Sequence, residues 1–134
     1  MIAKPLSQEE IRAISTLGLA YIGDGVYELL VRTWLISHGG QKAGDMHKAA
    51  VSYVKASAQA AAAQRILEHL DAEELTVYKR GRNAKVGTVP QGATIAEYHA
   101  ATGLETLFGH LYVNGKTERI ETLFLCIMEG TTCH

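Results

Sequence analysis

The sequence has few of the residues that restrict a protein to a special class. Two prolines in 134 residues leave long helices permitted. Two cysteines, Cys126 and Cys133, lack the companions of a zinc site, and we expect reduced thiols. No apolar run approaches the roughly 20 residues that a membrane span needs, and the N-terminal segment lacks the apolar stretch of a signal peptide. With 47% hydrophobic residues, these absences predict one domain over residues 1–134, cytoplasmic and without a membrane partner.

Acidic residues are missing from one part of the chain. None occurs between Glu74 and Glu97, whereas four cations do, so this segment carries +4. Subtracting +4 from the formal net charge of −1 leaves −5 for the rest. A basic segment on an acidic body favours local contact with a polyanion. The alternative is a solvated helix end, where cations meet the helix dipole. We name these residues the basic cluster: Lys79, Arg80, Arg82 and Lys85.

Helix signals recur along the whole chain, and no strand alternation of useful length occurs. Ser7 and Thr94 begin capping boxes, and Asp71 is an N-cap followed by acids. We predict a short helix after Ser7 and helices over about 17–37, 43–69, 71–82, 94–112 and 117–129, the 94–112 stretch open to division at Gly103. Glycines and Pro90 predict a loop over about 81–93. The pattern indicates an all-α fold.

Two acids lie in apolar helices beside glycines. Asp24 follows Gly23 in the apolar run 19–32, so we expect it to be buried and to need a partner. Glu105 borders an apolar face one turn before Gly109. A helical glycine costs about 1 kcal/mol against alanine, so it often marks close approach of another backbone or a ligand. Two such helices can face their acids toward one another across a divalent cation. A salt bridge or a cap is the alternative for either acid.

Both acids fall in motifs that resemble one family. Residues 19–27, Leu-Ala-Tyr-Ile-Gly-Asp-Gly-Val-Tyr, resemble the signature helix of ribonuclease III domains. Residues 102–112, Thr-Gly-Leu-Glu-Thr-Leu-Phe-Gly-His-Leu-Tyr, resemble that family's second acidic motif. Two family acids fall on Ala20 and Thr102 here. These losses, the basic cluster and the short length resemble the Mini-ribonuclease III subgroup of Gram-positive bacteria.

The resemblance implies a single ribonuclease III-like catalytic helical domain that cleaves double-stranded RNA with Mg²⁺, leaving 5′-phosphate and 3′-hydroxyl ends. It implies that Asp24 and Glu105 coordinate the metal and are catalytic. Glu28, one turn from Asp24, either supports them or pairs with Arg32. Without room for a separate RNA-binding domain, the basic cluster is the candidate RNA contact. The resemblance also implies a homodimer that trims the precursor of the large-subunit (23S) ribosomal RNA.

Two other functions remain open at this point. If the absent acids are indispensable for cleavage, the chain is instead a catalytically silent helical module that binds double-stranded RNA. A metal-dependent nucleotide pyrophosphohydrolase also uses acids on helices, but the sequence has neither facing Glu-x-x-Glu repeats nor a His-Asp dyad.

Overall fold

The described chain is built from seven α-helices and one 3₁₀ turn. The computed structural model describes residues 4–39, 42–85 and 87–130, and no strand occurs among them. The predicted all-α fold is confirmed. No described helix is long and apolar enough to cross a membrane. The helices are α1 (Gln8–Ala13), α2 (Thr16–Ser37), α3 (Ala43–Val54), α4 (Ala56–Ile66), α5 (Ala72–Arg82), α6 (Ile95–Val113) and α7 (Thr117–Glu129), with the 3₁₀ turn at Leu67–His69.

Local capping explains where three of the helices begin. Ser7, Asp71 and Thr94 each form a complete capping box with the glutamate three residues later. At α6, Thr94 Oγ1 accepts from the Glu97 backbone N–H at 3.0 Å, and Glu97 Oε1 accepts from the Thr94 N–H at 2.9 Å. These bonds satisfy N–H groups that have no partner inside the helix. The starts predicted from these residues are confirmed.

The prediction of one helix over 43–69 is wrong. α3 ends at Val54, Lys55 is extended with φ −63° and ψ 155°, and α4 begins at Ala56. Neither proline nor glycine marks this break in the sequence. The break lets α3 pack on α2 while α4 packs on α6 and α7. Tertiary packing therefore overrides the continuous helix propensity of this segment.

Gly81 and Gly103 lie inside helices, at positions where two helices pack closely, and neither marks a helix end. Gly81 lies inside α5, where an added Cβ would sit 2.6 Å from Thr106 Cβ. Gly103 lies inside an undivided α6, where an added Cβ would sit 2.8 Å from the Tyr78 ring. Both glycines let α5 and α6 approach closely. The predicted loop thus begins after Arg82 and not at Gly81, which places most of the basic cluster on a helix.

α6 lies at the centre of the fold, packed against α2, α4, α5 and α7. Its Leu104, Leu107 and Phe108 are completely buried. The Tyr27 ring from α2 meets the rings of Phe108 and Phe124 edge to face, with centroids 5.4 Å and 5.7 Å apart. Such pairs add to the free energy gained from apolar burial. The core therefore holds α2 and α6 together along the part of α2 that is C-terminal to Asp24.

Cys126 lies on the buried face of α7 and is disulfide-bonded. The expectation of a reduced thiol is therefore wrong for this residue. Cys133 lies outside the described residues.

α2 and α6 cross in backbone contact at two glycines, as the sequence predicted. A Cβ added to Gly23 would overlap the Glu105 carbonyl oxygen and lie 2.8 Å from the Gly109 nitrogen. A Cβ added to Gly109 would overlap the Leu19 carbonyl oxygen and lie 3.0 Å from the Gly23 nitrogen. These neighbours are backbone atoms, which cannot move aside as a flexible side chain can. Any larger residue at either position must separate the helices.

We expect Gly23→Ala to lower the free energy of unfolding by about 3 kcal/mol, because overpacking against backbone shifts both helices. Gly25→Ala is the matched control on the same helix, since an added Cβ there has no neighbour within 4 Å. The control should raise the free energy of unfolding by up to about 1 kcal/mol through helix propensity. Urea denaturation measures both changes. Equal effects of the two substitutions would contradict the backbone contact.

Candidate active site and metal centre

The glycine crossing brings the two predicted acids to one cleft. Asp24 follows Gly23 on α2, and the Glu105 carbonyl is the group that Gly23 contacts on α6. Both acids line an open cleft of about 360 Å³, which we call the carboxylate cleft. Its lining residues are Leu17, Ala20, Tyr21, Asp24, Gly87, Tyr98, Thr102 and Glu105.

The two acids differ in exposure, and the expectation that Asp24 is buried is wrong. The buried stripe of α2 passes through Leu19, Gly23 and Tyr27. Asp24 is turned roughly 100° from Gly23 around the helix, which takes it out of the core and into the cleft. Glu105 is the acid that is partly buried. Desolvation therefore falls on Glu105.

The surroundings of Glu105 raise its pKa to about 8. Burial is the largest cause, because it disfavours the charged form. The neighbouring Asp24 adds charge repulsion and a hydrogen bond that also raise the pKa, whereas a hydrogen bond from Gln59 opposes the shift. At neutral pH and without a cation, Glu105 is therefore mostly protonated. A second negative charge in this cleft needs a positive partner.

Sequence reasoning missed Gln59, which contacts Glu105 from α4. Gln59 is 1% exposed and lines a second cleft of about 410 Å³, which also borders Glu105, Tyr98 and Thr102. The available signal was a single amide among the alanines of residues 56–63. A polar side chain on the buried face of such a helix requires a hydrogen-bonding partner.

The positions that carry acids in the resembled family lie in the same cleft. Ala20 and Thr102 line it beside Asp24 and Glu105. The Thr102 hydroxyl donates to the Tyr98 backbone carbonyl at 3.0 Å. Within 4–39, 42–85 and 87–130, no group of three or more His, Cys, Asp or Glu side chains could hold a metal ion. The available donors are therefore two carboxylates.

Glu28 does not line the carboxylate cleft. Its Oε1 accepts from Arg32 Nη2 at 2.8 Å, one turn along α2. Pairing with Arg32 is thus the alternative that the structure shows for Glu28.

The basic cluster lies at the end of α5 and in the loop that follows. Lys79, Arg80 and Arg82 lie in the last turn of α5, where they also suit the helix dipole. The Arg82 guanidinium lies 5.8 Å from the centroid of the Tyr78 ring. Lys85 is exposed in the following loop, two residues before Gly87 of the cleft lining. No ion pair joins any of the four to another described residue. Their charges are available for a ligand.

Comparison with known proteins identifies the family. The model of the ribonuclease III domain matches residues 17–116, a range that includes both acidic motifs. The Mini-ribonuclease 3 of Thermoanaerobacter sp. is 42% identical over 118 residues, covering 88% of this chain and 83% of that protein. The Mini-ribonuclease 3 of Desulfitobacterium hafniense is 46% identical, covering 87% of this chain and 71% of that protein.

A solved structure agrees with this match. The X-ray structure of a Fusobacterium nucleatum protein superposes with a TM-score of 0.81 at 32% sequence identity. The alignment covers 90% of this chain and 96% of that one. The chain therefore belongs to the ribonuclease III family of endoribonucleases.

Proposed function

We propose that this chain cleaves double-stranded RNA in a Mg²⁺-dependent reaction, with Asp24 and Glu105 as metal ligands and catalytic residues. The observation that carries the proposal is the convergence of these two carboxylates on one open cleft. Membership of the family supports the reaction, and the cleft supports the choice of residues.

The donor set fits Mg²⁺. Carboxylate oxygens are its usual protein ligands, and it commonly binds one or two of them while keeping several waters. No cationic side chain forms an ion pair with either acid in the part of the chain described, so their charge repulsion is left for a bound cation to relieve. Held by Asp24 and Glu105, Mg²⁺ would supply Lewis acidity that makes water a better nucleophile and offsets charge developing at the phosphate.

Asp24 and Glu105 approach the proposed metal position from different environments. Asp24 presents its oxygens to the open side, from a helix whose position is set by backbone contact. Glu105 presents its oxygens from the partly buried side, beside the Gln59 amide. Hydrolysis that leaves 5′-phosphate and 3′-hydroxyl ends joins a water oxygen to phosphorus and breaks the bond from phosphorus to the 3′ oxygen. In this proposal, that phosphate binds in the carboxylate cleft on the solvent-exposed side of Asp24.

The basic cluster supports a duplex as substrate. Duplex RNA is recognised mainly through phosphates and 2′-hydroxyls, for which unpaired lysine and arginine side chains are suitable. Gly87 of the cleft lining follows Lys85 by only two residues in the sequence. RNA held by the cluster can therefore extend to the carboxylates.

The proposal includes a homodimer and a ribosomal RNA substrate. Leu17 and Tyr21 line the cleft and are 45% and 83% exposed, which leaves apolar surface beside the acids for a second copy. Two copies would present two clefts, one for each RNA strand. Maturation of the 23S ribosomal RNA precursor is the task that the resemblance implies. A cytoplasmic location stays a prediction from the sequence.

We expect Asp24→Asn and Glu105→Gln each to lower the rate of duplex RNA cleavage by more than about 100-fold, since loss of groups that merely support metal ligands costs about 10–100-fold. Binding of duplex RNA should be retained. Glu28→Gln, on the same helix but paired with Arg32, is the control and should cleave normally. Cleavage unchanged by both active-site substitutions would refute the proposal. A wild-type protein that binds duplex RNA without cleaving it would support the silent module.

Without metal, we expect stability to fall as pH rises from about 4.5 to about 8. The folded protein raises the pKa of Glu105 to about 8, from 4.5, so the unfolded chain binds fewer protons in this window. The stability is fully present below the lower value and is lost as pH rises through the upper one. Glu105→Gln should remove this loss, as measured by thermal unfolding in EDTA. Parallel pH curves for the two proteins would contradict the raised pKa.

We expect the triple substitution Lys79→Gln, Arg80→Gln and Lys85→Gln to weaken duplex RNA binding. It should also flatten the slope of log binding constant against log salt concentration by about 2 to 3, because each phosphate contact contributes roughly 0.7 to 0.9. Lys48→Gln, an exposed cation on α3, is the control. A fluorescence anisotropy titration at several salt concentrations measures both. An unchanged slope would contradict a role for these cations in binding RNA phosphates.

A further inference from the structure

Gln59 is a buried amide in a helix of small side chains. It is 1% exposed, and the other buried residues of α4 are Ala62, Ala63 and Ile66. Burying an amide without hydrogen bonds costs several kcal/mol in an apolar medium. Gln59 and Glu105 line the same cleft, and hydrogen bonding by Gln59 lowers the pKa of the Glu105 carboxyl group. The amide is thus directed at one of the two proposed metal ligands.

Glu105 lies between two clefts that approach it from different sides. The carboxylate cleft contains Asp24 but not Gln59, and the second cleft contains Gln59 but not Asp24. Glu105, Tyr98 and Thr102 line both. Gln59 and Asp24 therefore reach Glu105 from two different clefts. A group on each side of Glu105 can influence how its carboxyl group is oriented.

We propose that Gln59 is a positioning residue that orients the Glu105 carboxylate so that its free oxygen lone pairs face Asp24 and a divalent cation. The inference rests on the metal-dependent function proposed above. Orientation is important here because the cleft offers two carboxylates, and neither Ala20 nor Thr102 contributes a third. Groups that hydrogen-bond metal ligands fix the ligand geometry and so determine affinity for the metal.

The test is Gln59→Met, which keeps the unbranched shape and helix propensity but removes the amide. Gln64→Met is the matched control, because Gln64 lies on the same helix and is exposed. Isothermal titration of each RNA-free protein with Mg²⁺ measures metal affinity directly. Cleavage assays over a Mg²⁺ series give the half-saturating concentration, kcat and the KM for duplex RNA.

We expect Gln59→Met to weaken Mg²⁺ binding and to raise the half-saturating Mg²⁺ concentration by about 10-fold or more. The KM for duplex RNA at saturating Mg²⁺ should not change, and the control should match wild type in every measurement. Unchanged Mg²⁺ affinity in a folded Gln59→Met protein would overturn the positioning role. A rise in KM alone would also overturn it, by making Gln59 an RNA contact.

Failure of the underlying function has a different signature. If wild type neither binds Mg²⁺ nor requires it for cleavage, the metal-dependent function fails before any variant is compared. Gln59→Glu is the second variant, which keeps side-chain length and polarity but replaces the donor amide with another acid. A Gln59→Glu protein with wild-type Mg²⁺ affinity and half-saturation would show that amide donation is not required.

Discussion

The backbone contact between α2 and α6 is the constraint on which the rest of the site depends. It exists because Gly23 and Gly109 have no Cβ, and each would otherwise overlap a carbonyl oxygen of the opposite helix. The contact determines the distance between the helices and also their relative rotation. Asp24 then enters the cleft because it is next to a contact glycine, and Glu105 because its own carbonyl is part of the contact. A site built on two rigid helices holds its groups more accurately than one built on loops.

This crossing places two carboxyl groups close together, and burial affects them unequally. Asp24 remains exposed, where water screens its charge, whereas Glu105 is partly buried and has a pKa of about 8. The Gln59 amide stabilises the charged form of Glu105 but does not cancel the effects of burial and of Asp24. The metal-free site is consequently short of positive charge. That deficit is a physical argument for the proposed cation site, independent of the family match.

Features fixed by neighbouring residues were predictable from the sequence, and features fixed by distant contacts were not. The capping boxes at Ser7, Asp71 and Thr94 depend on residues three apart, and the predicted helix starts there are confirmed. The contact glycines were recognisable because a helical glycine without a packing role is unfavourable. The extended Lys55 had no local signal, because its cause is the packing of α3 and α4 on different partners. The contact that Gln59 makes and the exposure of Asp24 depend on the rotation of each helix, which only the assembled core defines.

The absence of acids at positions 20 and 102 lowers the negative charge of the carboxylate cleft. Ala20 and Thr102 line it without charge, and the Thr102 hydroxyl already donates to its own helix. With the proposed divalent cation, two carboxylates would be formally neutral, whereas four carboxylates with one cation would carry a net negative charge that repels phosphate. A nearly neutral centre beside an unpaired basic cluster therefore needs little further charge compensation when a polyanion approaches. The reduced set of acids and the basic cluster on α5 can thus act as two parts of one electrostatic arrangement.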